Sequence, residues 1–214
     1  MELVEGANFC NTPQAVLENV DSSCRWPFPD VAIFQQLNLP GISPDICQRV
    51  WSQCAEMWNA VCHLSLHLAP SANQANILSQ SGRIDGSMGV LGQSYLPCGN
   101  ISSQTQLAQL FDNGEQWTEN FLLRVALHEI GHALGLPHAP QGSGAIMEPY
   151  LTAFTKPQAW DIAQMQARYP GGPIALPTPA PGPDDPSGDV FGKGMVINIP
   201  KPGNYLFRIT LTPR

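Results

Sequence analysis

His128, Glu129, His132 and His138 are the residues of this chain whose types and spacing could do chemistry. They stand in the run His128-Glu129-Ile130-Gly131-His132-Ala133-Leu134-Gly135-Leu136-Pro137-His138. A separation of four residues puts the imidazoles of His128 and His132 on one helix face, one turn apart, where both can hold one metal ion. Gly135 tolerates positive φ, so the helix can stop there and the chain can turn. The turned chain would then deliver His138 as a third nitrogen ligand. Three protein ligands leave a fourth position for water, the arrangement of a catalytic zinc rather than a structural one. Glu129 sits beside the first ligand and can reach that water as general base without binding the metal. Met147 follows in Gly144-Ala145-Ile146-Met147-Glu148-Pro149, where a tight turn beneath the metal is expected.

The elements that must position these groups can be read around them. A strand is expected over 31–37. Ser43 as N-cap and Pro44 in the first turn start a helix over 44–61, along which Ile46, Val50, Cys54, Met57, Trp58 and Val61 recur at helical spacing. Polar and apolar residues alternate over 63–68, a half-buried strand on which His63 and His67 read as surface or packing residues. Further strands are expected over 76–79 and, at a sheet edge, over 89–95. The active-site helix should run over 118–134, capped by Thr118, and a last helix over 157–169.

Composition sets the outer limits. The 214 residues allow one sizeable core with something left over, and with 43% hydrophobic and 13% charged residues the chain reads as globular. Net charge is −7 with only 10 Lys+Arg, which argues against nucleic acid or an anionic membrane surface as partner. No apolar run approaches the ~18 residues of a membrane span, and the N-terminus lacks the pattern of a secretory signal. Residues 1–25 read as an N-terminal segment, 26–170 as the catalytic domain, and 171–188 as a Pro/Gly-rich linker. Over 189–214 two strand-like runs flank Lys201-Pro202-Gly203-Asn204, a β-hairpin or truncated β module. All six cysteines (Cys10, Cys24, Cys47, Cys54, Cys62 and Cys98) precede residue 100, and their even number suggests at least two disulfides. Cys47 and Cys54 would lie about 10.5 Å apart along a helix, too far to bond each other, so their partners must come from the other four.

The zinc run resembles that of the metzincin metallopeptidases, and within them the matrixins, the matrix metalloproteinase family. Asp85-Gly86-Ser87-Met88-Gly89-Val90-Leu91 is similar to the family's Asp-Gly-x-x-Gly-x-Leu loop. Phe111-Asp112-Asn113-Gly114-Glu115-Gln116-Trp117-Thr118 resembles the segment leading into its active-site helix, and Trp160-Asp161-Ile162-Ala163-Gln164-Met165-Gln166-Ala167-Arg168-Tyr169 its closing helix. The likeness runs from about Trp26 to Pro170. It implies an α+β zincin-like domain: a twisted mixed sheet, a long backing helix, an active-site helix and a C-terminal helix. It also implies that Met147 floors the metal without binding it, and that Asp161 supports the methionine turn. Arg124 would bound the depth of the primary specificity pocket, and Pro149 would belong to its wall. Asp85, Asp112 and Glu115 match acidic positions of a structural calcium site, whose hard oxygen ligands suit that ion. A second, structural zinc is not implied, because Gln93 and Leu110 occupy two positions that the family fills with histidine. Cys10-Asn11-Thr12-Pro13 has the Cys-x-x-Pro frame of the family's thiolate latency switch, without its flanking arginine and aspartate.

The expected function is therefore zinc-dependent endopeptidase, with one zinc, Glu129 as general base and a calcium ion as a further cofactor. The substrate would be an extracellular or surface protein, lying extended along the edge strand near 90–95 by strand addition. The chain would be secreted and monomeric. Two other readings use the same site: a zinc-binding adhesion or targeting module without turnover, and a hydrolase of a non-protein amide.

Overall fold

A computed structural model describes residues 23–87 and 89–173. The latency frame at Cys10, most of the N-terminal segment, the linker from 174 onward and the C-terminal hairpin lie outside the described residues.

Five strands form one mixed sheet: β1 (Asp30–Gln36), β2 (Ser65–Leu68), β3 (Ile77–Gly82), β4 (Gly92–Ser94) and β5 (Leu107–Asp112), in the order β2-β1-β3-β5-β4. All neighbours are parallel except β4, which lies antiparallel to β5 at one edge. Three α-helices accompany the sheet: α1 (Pro44–Asn59), α2 (Glu119–Ala133) and α3 (Ala159–Arg168). This is the α+β architecture that the resemblance implied.

Each long helix starts where its cap requires. Ser43, in extended conformation, accepts a hydrogen bond from the Ile46 amide at 3.3 Å, with Pro44 in the first turn. Thr118 does the same for the Phe121 amide at 3.3 Å. Helix α1 packs on β1 and β2, α2 packs on β4 and β5, and the two helices pack on each other. Trp51, Trp58, Phe111, Ile33, Leu122 and Ile130 are fully buried in the shared core. Burying large apolar and aromatic side chains of this kind contributes roughly 1.5–3 kcal/mol each.

The edge strand is tied to this core by a buried polar chain. The Trp51 indole donates to Ser79 Oγ (3.3 Å), Ser79 Oγ donates to Gln109 Oε1 (2.7 Å), and Gln109 Nε2 donates to Ser94 Oγ (3.1 Å). The chain crosses β3, β5 and β4 and sets their register, since each buried polar atom needs its partner. It also explains why β5 does not stand out in the sequence. Its inward residues are Leu107, Gln109 and Phe111, and a glutamine at the middle inward position breaks the apolar alternation. The edge strand is shorter than expected, three residues instead of seven, because the chain before it is turned: Asp85 Oδ2 accepts the Val90 amide at 3.1 Å.

The cysteines correct a second expectation. Cys24 and Cys98 form a disulfide, whereas Cys47, Cys54 and Cys62 are buried thiols. Cys47 and Cys54 lie on the inward face of α1 beside Val50, Trp51 and Trp58 and act there as small core residues. Burial raises their thiol pKa values and pushes that of Cys62 up to about 12.

Candidate metal centre

The site is built at the C-terminal half of α2 and the two turns that follow. His128 and His132 face the same side of the helix. Gly135, at φ 96°, reverses the chain, and the Leu136 amide bonds back to the Gly131 carbonyl at 2.9 Å, which closes the helix end. His138 then returns toward the helix. The ring centroids lie 4.6 Å (His128–His132), 4.8 Å (His132–His138) and 5.3 Å (His128–His138) apart. One nitrogen from each ring lies within 4.8 Å of the others, and this is the only such cluster of three among the described residues.

Backbone carbonyls orient two of the rings. His128 Nδ1 lies 2.9 Å from the Ile146 carbonyl, and His132 Nδ1 lies 2.7 Å from that of Leu136. A carbonyl partner calls for a proton on Nδ1 and leaves Nε2 as the lone-pair atom, the state in which an imidazole binds metal. His132 Nε2 and both ring nitrogens of His138 are buried without a hydrogen-bond partner. Burial depresses the imidazole pKa values, with the neighbouring rings adding to the effect for His128 and His132. His132 falls to about 3, His138 to about 4, and His128 well below its ordinary value. Three neutral, converging imidazoles fit a divalent ion such as zinc. Glu129 is fully buried beside them, and burial raises its carboxyl pKa well above the ordinary value.

These depressed values carry a sign for stability. As pH falls through the ordinary histidine range, the unfolded chain takes up three imidazole protons that the folded site cannot. The raised Glu129 carboxyl works in the opposite sense and offsets part of this, and the metal-free fold loses stability on balance. Its melting temperature is expected to drop on the order of 5 °C between about pH 7 and pH 5. The drop should shrink in His138→Gln. A melting temperature equally flat in both proteins would contradict the burial of neutral imidazoles.

Around this centre the expected supporting residues fall into place unevenly. Met147 is fully buried under α2, and a Cβ at Gly131 would lie only 2.5 Å from its Sδ. Gly131 is thus a close-approach position that the spacing argument passed over. Asp161 is buried and accepts the amides of Ile146 (2.9 Å), Met147 (3.1 Å) and Gln158 (2.7 Å), so it both holds the methionine turn and caps α3. Burial outweighs those bonds and raises its pKa. Arg124 lies one turn before His128 on the same face, half-buried, with Nε and Nη2 buried and lacking a hydrogen-bond partner. Pro149 is half-buried at the start of the segment after Met147.

Two contributors were not singled out from the sequence. Glu148 is buried and accepts the amides of Gly142 (3.0 Å) and Gly144 (2.6 Å), closing the loop between His138 and Met147. A carboxylate after a Gly-Ser-Gly run was the available signal. Trp26 donates its indole N–H to the Ala133 carbonyl at 2.9 Å, capping the helix that carries His128 and His132.

Of the three acidic residues expected to hold calcium, Asp112 and Glu115 are buried and Asp85 is exposed. Asp112 Oδ2 accepts the amides of Asp85 (3.0 Å) and Gly86 (2.9 Å), and its Oδ1 accepts that of Gly114 (2.7 Å). Burial works to raise the Asp112 pKa, but these backbone bonds outweigh it and the net shift is downward.

An α+β domain with three converging histidines, a methionine turn and a buried glutamate beside the first ligand defines a metzincin-type metal centre. The chain belongs to the Matrixin family, which it matches over residues 37–169. It is 32% identical to the interstitial collagenase of Bos taurus over 217 aligned residues, 87% of this chain and 45% of that protein. A macrophage metalloelastase of Oryctolagus cuniculus is 35% identical over 59% of this chain and 28% of its own length. The hatching enzyme of Paracentrotus lividus is 29% identical over 68% and 26%, respectively. The chain therefore spans less than half the length of these curated relatives.

Proposed function

We propose that this chain is a zinc-dependent endopeptidase acting on extracellular or surface proteins. The observation that carries the reading is the convergence of His128, His132 and His138 as neutral imidazoles, with the buried Glu129 carboxyl beside them. Zinc bound there would acidify a water molecule and polarise the scissile carbonyl.

The remaining work falls to the protein. His128 and His132 are held in the metal-binding tautomer by the Ile146 and Leu136 carbonyls. Burial brings Glu129 closer to neutrality, so that its carboxylate can take a proton from the attacking water and later hand it to the leaving amine. Strand β4 runs directly over this base: a Cβ at Gly92 would lie 2.7 Å from Glu129 Oε1. An extended substrate paired to the outer edge of β4 would thus bring a peptide bond to the carboxylate, by strand addition. Arg124 and Pro149 would shape the pocket beside the scissile bond, and Arg124 would keep it short. No helix among the described residues is long and apolar enough to cross a membrane; action as a secreted monomer is part of the proposal. Calcium at Asp85, Asp112 and Glu115 is a separate part of the proposal, as a stabilising ion outside the chemistry.

One experiment addresses both metals. Casein should be cleaved by the purified chain and not after chelation. Zinc should restore cleavage, whereas calcium alone should raise the melting temperature without restoring it. Cleavage that survives complete removal of zinc would sink the peptidase reading. A melting temperature indifferent to calcium would remove the calcium site.

A further inference from the structure

We propose that the Cys24–Cys98 disulfide positions the substrate-binding edge strand relative to the zinc-ligand turn, and so sets substrate affinity. The inference rests on the peptidase reading above. The bond joins two segments 74 residues apart in the chain, and both lie next to the site. On one side, Cys24 belongs to a strap against the end of α2. A Cβ at Gly135 would overlap the Cys24 carbonyl oxygen, which places that carbonyl directly on the turn between His132 and His138. Trp26 anchors the same strap twice. Its indole donates to the Ala133 carbonyl (2.9 Å), and its amide donates to the Tyr169 hydroxyl (3.0 Å), which itself donates to the Leu134 carbonyl (2.9 Å).

On the other side, Cys98 lies four residues beyond the end of β4, in the loop that continues the edge strand. After Tyr95, whose amide still reaches the Ala108 carbonyl at 3.3 Å, the backbone hydrogen bonds at 96–101 among the described residues stay inside the loop: the Cys98 amide to the Leu96 carbonyl, and the Ile101 amide to the Gly99 carbonyl. Farther along, Asn76 ties down the carbonyls of Ser103 and Thr105. Among the described residues, the first part of the loop is therefore held to the domain by the disulfide and by side-chain packing of Pro97 and Ile101.

The two ends should respond differently when the bond is broken. The Cys24 strap keeps its Trp26 and Tyr169 hydrogen bonds, so the ligand turn stays in place. The Cys98 loop loses its tie, and with it the exit of β4 gains freedom that a pairing substrate must remove at a cost in affinity. Cys98 is exposed while Cys24 is buried, so a reductant can reach the bond from the Cys98 side. The thiols of Cys47, Cys54 and Cys62 remain sealed in the core.

The test compares the intact zinc-loaded chain with a Cys24→Ser/Cys98→Ser double variant, and with the intact chain after reduction by a water-soluble phosphine. Reduction converts the disulfide to two thiols and the phosphine to its oxide, with oxygen from water, and needs no refolding if the variant fails to fold. Kinetics on an extended fluorogenic peptide should show KM raised about 3- to 10-fold with kcat within about twofold and zinc content unchanged. Amide exchange should accelerate over 92–101 and stay slow over 132–136. Unchanged KM and exchange would overturn the proposal, as would a loss of zinc and kcat, which would make the bond a support of the metal turn. If the intact chain cleaves nothing, the peptidase reading has failed, and exchange over 92–101 still decides whether the disulfide holds the edge strand.

Discussion

Glu129→Gln is expected to lower kcat/KM for casein peptides by about 10²- to 10⁴-fold while zinc content stays that of the wild type. The amide keeps the size of the carboxylate and its place beside His128, but it cannot accept the proton of the attacking water. Because Glu129 is not one of the three converging histidines, metal binding should survive. The fully buried environment that raises its pKa penalises a charge there, so the neutral glutamine should leave the fold intact or make it more stable. Loss of activity in both kcat and kcat/KM, with zinc retained, identifies a group acting in the transition state. A variant that cleaves at wild-type rate would remove Glu129 from the chemistry. One that loses zinc would make it part of the metal site.

Gly135→Ala is the second large effect, on stability and metal retention together. At φ 96° any L-residue is strained, by about 1–2 kcal/mol, and the new Cβ would overlap the Cys24 carbonyl. That oxygen cannot rotate away, because its strap is fastened by Trp26 and by the disulfide. Relief must come from moving the turn itself, which shifts Leu136, whose carbonyl orients His132. The expected loss is about 2–5 kcal/mol, or roughly 5–15 °C in melting temperature, with weaker zinc binding. Gly142→Ala supplies the control: its φ is also positive, at 78°, but a Cβ there meets nothing within 4 Å. It should show the backbone strain alone, about 1–2 kcal/mol. Equal melting temperatures for the two variants would show that the strap does not press on the ligand turn.

What could be read from the chain alone is what short-range geometry determines. Helix repeat sets the relation of His128, Glu129 and His132, and capping chemistry at Ser43 and Thr118 places the helix starts within a residue or two. One glycine with positive φ suffices to bring back His138. The inward stripe of α1 follows from the same periodicity only in part: Val50, Cys54 and Trp58 are buried, Ile46 and Met57 are half-buried, and Cys47, Trp51 and Ala55 fill the rest of the inward face. Residues that depend on partners far along the chain were less legible. Strand β5 hides because Gln109 is inward, and that is tolerable only because Ser79 and Ser94 meet it. Gly131 shows its purpose only once Met147 lies against it. The even cysteine count suggested more pairing than occurs among the described residues, since burial on α1 serves Cys47 and Cys54 as well as a bond would. By itself the sequence determined the family and the grouping of His128, Glu129, His132 and His138, because local backbone geometry is nearly independent of context. Only the tertiary structure decided that Cys24 bonds Cys98, that Trp26 caps the helix of His128 and His132, and that Gly92 leaves room for Glu129, because those contacts exist only after distant segments have packed.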